Sequence, residues 1–204
     1  MFVRTIYATG DPEKLDTAVD GIRTEGRKIL AEQPGFRGIG VFTDREVGKL
    51  VMGSWWESEK ARQDSDERLR ERRAAIFEPF AATMLIANYE AVAVHRLRQP
   101  EAGRAALRLS RVEFDPADAD LFAETFTGTV QHRLELLPGL VASSLFLDRA
   151  RGRGIVNSIF EDRAALAASR SAQAAVRHEG AAKAHVSVYA LEELDVVFAE
   201  LRLD

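Results

Sequence analysis

The residues of this chain best able to do chemistry are two adjacent tryptophans, Trp55 and Trp56, the arginines Arg4 and Arg108, and three tyrosines, Tyr7, Tyr89 and Tyr189. Neighbours on a strand point to opposite faces, so at most one of the tryptophans lines a given pocket, and Ser54 and Met52 share the parity of Trp56. Either both rings are packing residues, or Trp56 faces a substrate. An arginine facing inward from a strand needs a carboxylate, a carbonyl or an anionic ligand. Arg4 and Arg108 could therefore hold a substrate oxygen or an enolate; otherwise they sit at outer strand positions paired with Asp or Glu. Tyr7 and Tyr89 could donate phenolic hydrogen bonds to a ligand, or pack their rings with the hydroxyl at the rim.

Other chemistries lack the residues they need. Cysteine is absent, which removes disulfides, thiolate metal sites and cysteine nucleophiles. The four histidines, His95, His132, His178 and His185, are scattered without ligand spacing, so no metal is expected. No phosphate-binding glycine loop or G-x-S-x-G occurs; the glycines of Gly35-Phe36-Arg37-Gly38-Ile39-Gly40 lead into a strand rather than opening a helix. The net charge of -4 comes from interspersed acids and bases, which points away from nucleic acid and membrane surfaces. Residues Met1 to Tyr7 lack the layout of a signal peptide, and no apolar run approaches the ~20 residues of a membrane span, so a cytoplasmic location is expected.

The elements that position these residues occur twice. Shifted by 104 positions, Arg4 falls on Arg108, Asp11-Pro12 on Asp115-Pro116, Pro34-Gly35 on Pro138-Gly139, and Phe42, Asp44, Arg45 and Gly48 on Phe146, Asp148, Arg149 and Gly152. Ser54, Glu57 and Ala61 meet Ser158, Glu161 and Ala165. Beyond this the second copy is expected to lose four residues, so that Ala74-Ala75 meets Ala174-Ala175 and Tyr89 meets Tyr189. Each Asp-Pro reads as an N-cap with proline in the first helical turn, and each Pro-Gly as a helix stop that turns the chain into a strand.

Two short apolar runs, Phe36 to Thr43 and Lys49 to Trp56, form a hairpin around Asp44-Arg45-Glu46-Val47-Gly48, and Leu140 to Leu147 with Gly154 to Phe160 repeat it. Ser58 and Asp162 open second helices, towards Pro79 and Gly180. In the first of these, Arg62 to Arg73 is almost wholly charged, with Asp64 before Arg68 and Asp66 before Arg70, and reads as a solvated face. First strands Phe2 to Ala8 and Leu107 to Phe114, and fourth strands Met84 to Val92 and His185 to Leu191, complete a β-α-β-β-α-β order in each half. The expected fold is α+β: two ferredoxin-like repeats packed sheet to sheet, since each bare sheet face must be buried. The expected boundaries are 1–95 for the first repeat, 96–105 for a linker, 106–191 for the second repeat and 192–204 for a C-terminal extension with no first-half counterpart. Val196-Val197-Phe198 implies that this extension docks as a strand or helix.

Pro34-Gly35-Phe36 entering a strand, then a hairpin, then Trp56-Glu57-Ser58 before a helix, resembles the dimeric α/β-barrel superfamily and in particular the antibiotic-biosynthesis monooxygenase (ABM) domain. Pro138-Gly139-Leu140 and Phe160-Glu161-Asp162 repeat the layout. The resemblance implies an intramolecular dimeric α/β barrel, a fused version of the usual homodimer, which could pair again into a dimer of pseudo-dimers. It implies a cofactor-independent monooxygenase acting on an aromatic or polyketide-like molecule, with Trp56 lining the cleft between sheet and helices; Arg4, Tyr7 and Tyr89 are the further substrate-binding candidates that the residues themselves offer. Phe160 replaces the tryptophan in the second half. The asparagine and histidine that haem degraders carry are not matched in the first half, which disfavours haem, and no cofactor is expected. The alternative is a non-catalytic module that binds a small apolar or aromatic ligand, or a stress-related structural protein.

Overall fold

In a computed structural model, which describes residues 1–202, the eight strands are β1 (Phe2–Gly10), β2 (Phe36–Asp44), β3 (Lys49–Trp56), β4 (Ala81–Arg96), β5 (Ala106–Glu113), β6 (Leu140–Asp148), β7 (Arg153–Phe160) and β8 (Ser187–Leu201). They hydrogen-bond in the order β1-β3-β2-β8-β5-β7-β6-β4 as a closed antiparallel barrel. By its contacts the chain divides into two units, Met1–Asn88 with the residues from Val197, and Tyr89–Val196.

In the first unit β3 is central between β1 and β2, with Arg4 opposite Ser54 and Ile6 opposite Met52. Helix α1 (12–31) lies between β1 and β2, and helix α2 (Glu59–Phe77) between β3 and β4. The Asp11 carboxylate accepts from the Glu13 N–H at 3.0 Å and starts α1, and Ser58 Oγ accepts from the Ala61 N–H at 3.1 Å and starts α2. Gly35, at φ 74°, turns the chain from α1 into β2, a conformation that side chains resist. The helix-facing side of this sheet, with Ile6, Ile39, Val41, Leu50, Met52 and Trp56, packs against Leu15, Val19, Ile22, Leu30, Leu69 and Phe77.

The second unit repeats this plan. Strand β7 pairs with β5 and β6, helix α3 (116–135) follows β5, and helices α4 (Arg163–Ala168) and α5 (Arg170–Lys183) follow β7. Asp115 and Asp162 cap as their first-half counterparts do, accepting from Ala117 and Ala165 N–H at 2.9 and 2.8 Å, and Gly139 stands at φ 77°. Both first helices contain one π-helical turn, at Ile22–Gly26 and Phe126–Val130, the same place in each copy.

Several expectations are corrected. Strand β4 runs to Arg96 rather than ending at Val92, and Glu90–Arg96 pairs with β6. Strand β8 runs on to Leu201, so residues 192–201 of the expected extension continue the fourth strand and do have a counterpart, the second half of β4. Residues 203–204 lie outside the described residues. Residues 62–73 are not wholly solvated: Arg62, Ser65 and Leu69 form a buried inner face of α2. Asp64 does face Arg68, at 3.7 Å, but Asp66 turns to Arg73 at 2.7 Å and to Arg4. Among the described residues no helix is long and apolar enough to cross a membrane.

Candidate functional site

Arg4 leaves β1 on the side that packs under α2 and is 3 % exposed, not at an outer strand position. Its guanidinium donates to Ser65 Oγ at 3.1 Å and to the Arg62 carbonyl, and its Nε lies 3.5 Å from Asp66 Oδ1. Burial pushes Arg4 down from its ordinary pKa to about 10; Asp66 opposes this and Arg73 and Arg62 add to it. Trp56, on the same face of the sheet, is fully buried. Its Nε1 donates to Ser54 Oγ at 3.1 Å, its ring meets Phe36 edge-on at 5.6 Å, and the Arg4 guanidinium stands 5.7 Å from its centroid. The indole thus forms the floor beneath a buried cation, its one polar atom already engaged.

Beside this pair opens a cleft between sheet and helices, lined by Arg4, Ser54 and Arg73 among apolar residues including Met52, Leu69 and Phe77. Its cavity of about 30 Å³ has room for one or two waters. Tyr7 is not there: Arg4 and Tyr7 are an odd number of residues apart, so Tyr7 stands on the opposite sheet face, where its ring meets Lys49 Nζ at 5.9 Å. Tyr89 belongs to the second unit, where burial raises its pKa and Arg111, Tyr189, Asp148 and Arg153 act on it electrostatically. Of the four expected substrate residues, the structure brings together Arg4 and Trp56, but only Arg4 lines the cleft; Trp56 is sealed beneath it.

The second unit holds an equivalent constellation. Arg108, 2 % exposed, donates to the Leu166 carbonyl at 3.0 Å, to Ser169 Oγ at 3.3 Å, to Gln173 Oε1 and to Glu193 at 2.5 Å. Leu166 and Ser169 answer to Arg62 and Ser65 at the original shift of 104, so the expected four-residue loss is not found in the helix. A compensated packing pair agrees. In the first unit a Cβ on Gly26 would meet Ile76 at 3.6 Å; in the second the small residue has changed sides, and a Cβ on Gly180 would meet Val130 at 2.6 Å. At that shift Gly180 and Ala181 replace Ile76 and Phe77, and the second cleft is roomier, at about 60 Å³. Gln173 and Arg177 line it. Neither residue stands at a turn or cap that would mark it in the sequence, although the unchanged shift aligns Arg177 with Arg73.

A sequence model of the antibiotic biosynthesis monooxygenase family matches residues 1–70. Two uncharacterised proteins of Mycobacterium tuberculosis strain H37Rv, Rv2557 and Rv2558, are each 25 % identical to the chain, over 203 and 207 residues, which is all of this chain and 90 % and 86 % of theirs. Among solved structures, a provisionally assigned monooxygenase of Fusobacterium nucleatum superposes with a TM-score of 0.74 at 11 % identity, covering 98 % of this chain and 94 % of that one. An anthrone oxidase-like protein does so with a TM-score of 0.71 at 17 % identity, covering 98 % and 92 %. At such identities the likeness is one of fold. Residues 1–70 thus resemble the ABM family, and the chain as a whole has an α+β fold built on a closed antiparallel eight-stranded barrel.

Proposed function

We propose that this protein is a cofactor-independent monooxygenase acting on an aromatic or polyketide-like small molecule, which enters the first cleft beside Arg4. The observation that supports this most is a buried arginine lining, with Ser54 and Arg73, a largely apolar cleft in the ABM-like unit. A substrate with an acidic methylene beside a conjugated carbonyl loses a proton to water to give an enolate, whose oxygen the desolvated guanidinium stabilises. Dioxygen then adds at the carbanion carbon; the peroxide anion formed takes back the proton, and the resulting hydroperoxide loses water to leave a carbonyl, so that one methylene and one dioxygen become one carbonyl and one water. An aromatic ring exceeds the present space, and its entry requires Leu69, Ile76 and Phe77 of the first unit to move aside.

One observation favours a second reading, a non-catalytic module that binds a small molecule. Among the described residues, neither cleft is lined by a histidine, carboxylate or tyrosine that could take the substrate proton. Oxygen uptake separates the two. With an anthrone or a quinol, the enzyme reading expects uptake above the spontaneous rate, one dioxygen per carbonyl formed, and its loss in Arg4→Met that remains folded. A substrate that binds with no acceleration of uptake leaves the binding module.

A further inference from the structure

The two clefts occupy equivalent places in the two repeats and share an arginine at the same helical position, but only one of these arginines is neutralised. In the first unit Arg73 pairs with Asp66 at 2.7 Å. In the second, the counterpart of Asp66 is Arg170, which turns away to Glu193 at 2.7 Å, and among the described residues no carboxylate pairs with Arg177. Arg177 is half-buried, and burial and the neighbouring Arg108 both lower its pKa. One turn earlier, at i,i+4 spacing on the same helix face, Gln173 replaces Leu69 and is 3 % exposed. Its amide orientation is set, because Arg108 has only donors to offer and so must face Oε1. Nε2 is left buried with no hydrogen-bond partner among the described residues, a donor that costs free energy until something accepts from it.

We infer that the second cleft is a binding site for a short-chain carboxylate, with the carboxylate held by Arg177 and Gln173 Nε2 and the alkyl chain among Phe122, Phe126, Val176 and Val186. The cavity of about 60 Å³ holds about four to six waters, hence a ligand of about four to six non-hydrogen atoms such as butyrate. The absence of large side chains at Gly180 and Ala181 provides this room. This site is separate from the Arg4 cleft and does not depend on oxygen chemistry at either place.

Sodium butyrate titrated into the full-length chain, followed by amide shift changes in two-dimensional NMR, tests it. Expected are saturable shifts centred on helix α5, binding of butyramide weaker by about tenfold or more, and a similar loss in Arg177→Gln. Gln173→Glu keeps the acceptor for Arg108, so the fold is retained, and it should abolish butyrate binding by removing the donor and adding like charge. Arg73→Gln in the first cleft should leave butyrate affinity unchanged. No saturable shift on α5, equal binding of butyrate and butyramide, or full affinity in folded Arg177→Gln would overturn the assignment.

Discussion

Replacing Gly180 by alanine places a methyl carbon 2.6 Å from Val130 Cγ2, well inside contact distance. Val130 sits in the π-helical turn of α3, and a β-branched side chain on a helix has little freedom to rotate away. Overpacking of this kind costs about 1–3 kcal/mol, whereas glycine to alanine inside a helix gains about 1 kcal/mol, so Gly180→Ala alone should destabilise by up to about 2 kcal/mol. In a Val130→Ala background the clash is gone and the same change should stabilise. The difference between backgrounds, about 1–3 kcal/mol, is the coupling, and each kcal/mol moves the melting temperature of a chain this size by about 2–4 °C. Thermal unfolding followed by circular dichroism on wild type, both singles and the double variant measures it. Gly26→Ala is the internal control: its Cβ would meet Ile76 at an ordinary 3.6 Å, so it should stabilise outright. Equal effects of Gly180→Ala in both backgrounds would refute the contact and, with it, the unbroken shift of 104 through the second helices.

Three further perturbations follow from the geometry. Trp56→Phe, which installs the residue found at position 160, should keep the fold and cost about 1–3 kcal/mol in urea unfolding, from the lost Ser54 bond and the space left by the smaller ring; no change would mean the indole is not sealed. Tyr89 is raised chiefly by burial, so in a phenolate absorbance titration it should ionise above the ordinary phenol range, and Tyr89→Phe should remove that step. Its neutral form is favoured in the folded state, so stability falls as pH rises from the unfolded towards the folded tyrosine pKa, and Tyr89→Phe should lessen that fall. The Glu193 carboxylate is held below the usual carboxylate range, first by its hydrogen bond from Arg170 and also by Arg108. Its contribution is therefore present above the unfolded pKa and lost as pH falls through the folded one. Glu193→Gln should be less stable than wild type at neutral pH and converge with it in acid; a constant gap would contradict the ion pair.

The turns and caps of the fold were legible because each rests on a residue with a narrow local role: Asp11 and Asp115 as caps, Gly35 and Gly139 at positive φ. Parity also separates Tyr7 from Arg4, an odd number of positions away, although the two were expected in one cleft. The inner face of α2 was not legible, because the residues it buries with Leu69 are Arg62 and Ser65, which serve Arg4 and leave no apolar stripe to read. The far half of β8 was obscured for a similar reason. Glu192 and Glu193 look like surface acids until β5 sets Arg111 and Arg108 against them. The second cleft depends on what is missing among the described residues, a side chain at Gly180 and a carboxylate paired with Arg177, and absences carry no periodic signal.

The most direct test of the proposed chemistry is a crystal structure of the protein soaked with an anthraquinone, the product-like form of an anthrone substrate. The account predicts the ligand on the helix-facing side of the first sheet, with a quinone oxygen within hydrogen-bond distance of the Arg4 guanidinium and Leu69, Ile76 and Phe77 displaced. A ligand bound elsewhere, with Arg4 still enclosed by Ser65, Arg62 and Asp66, would contradict it.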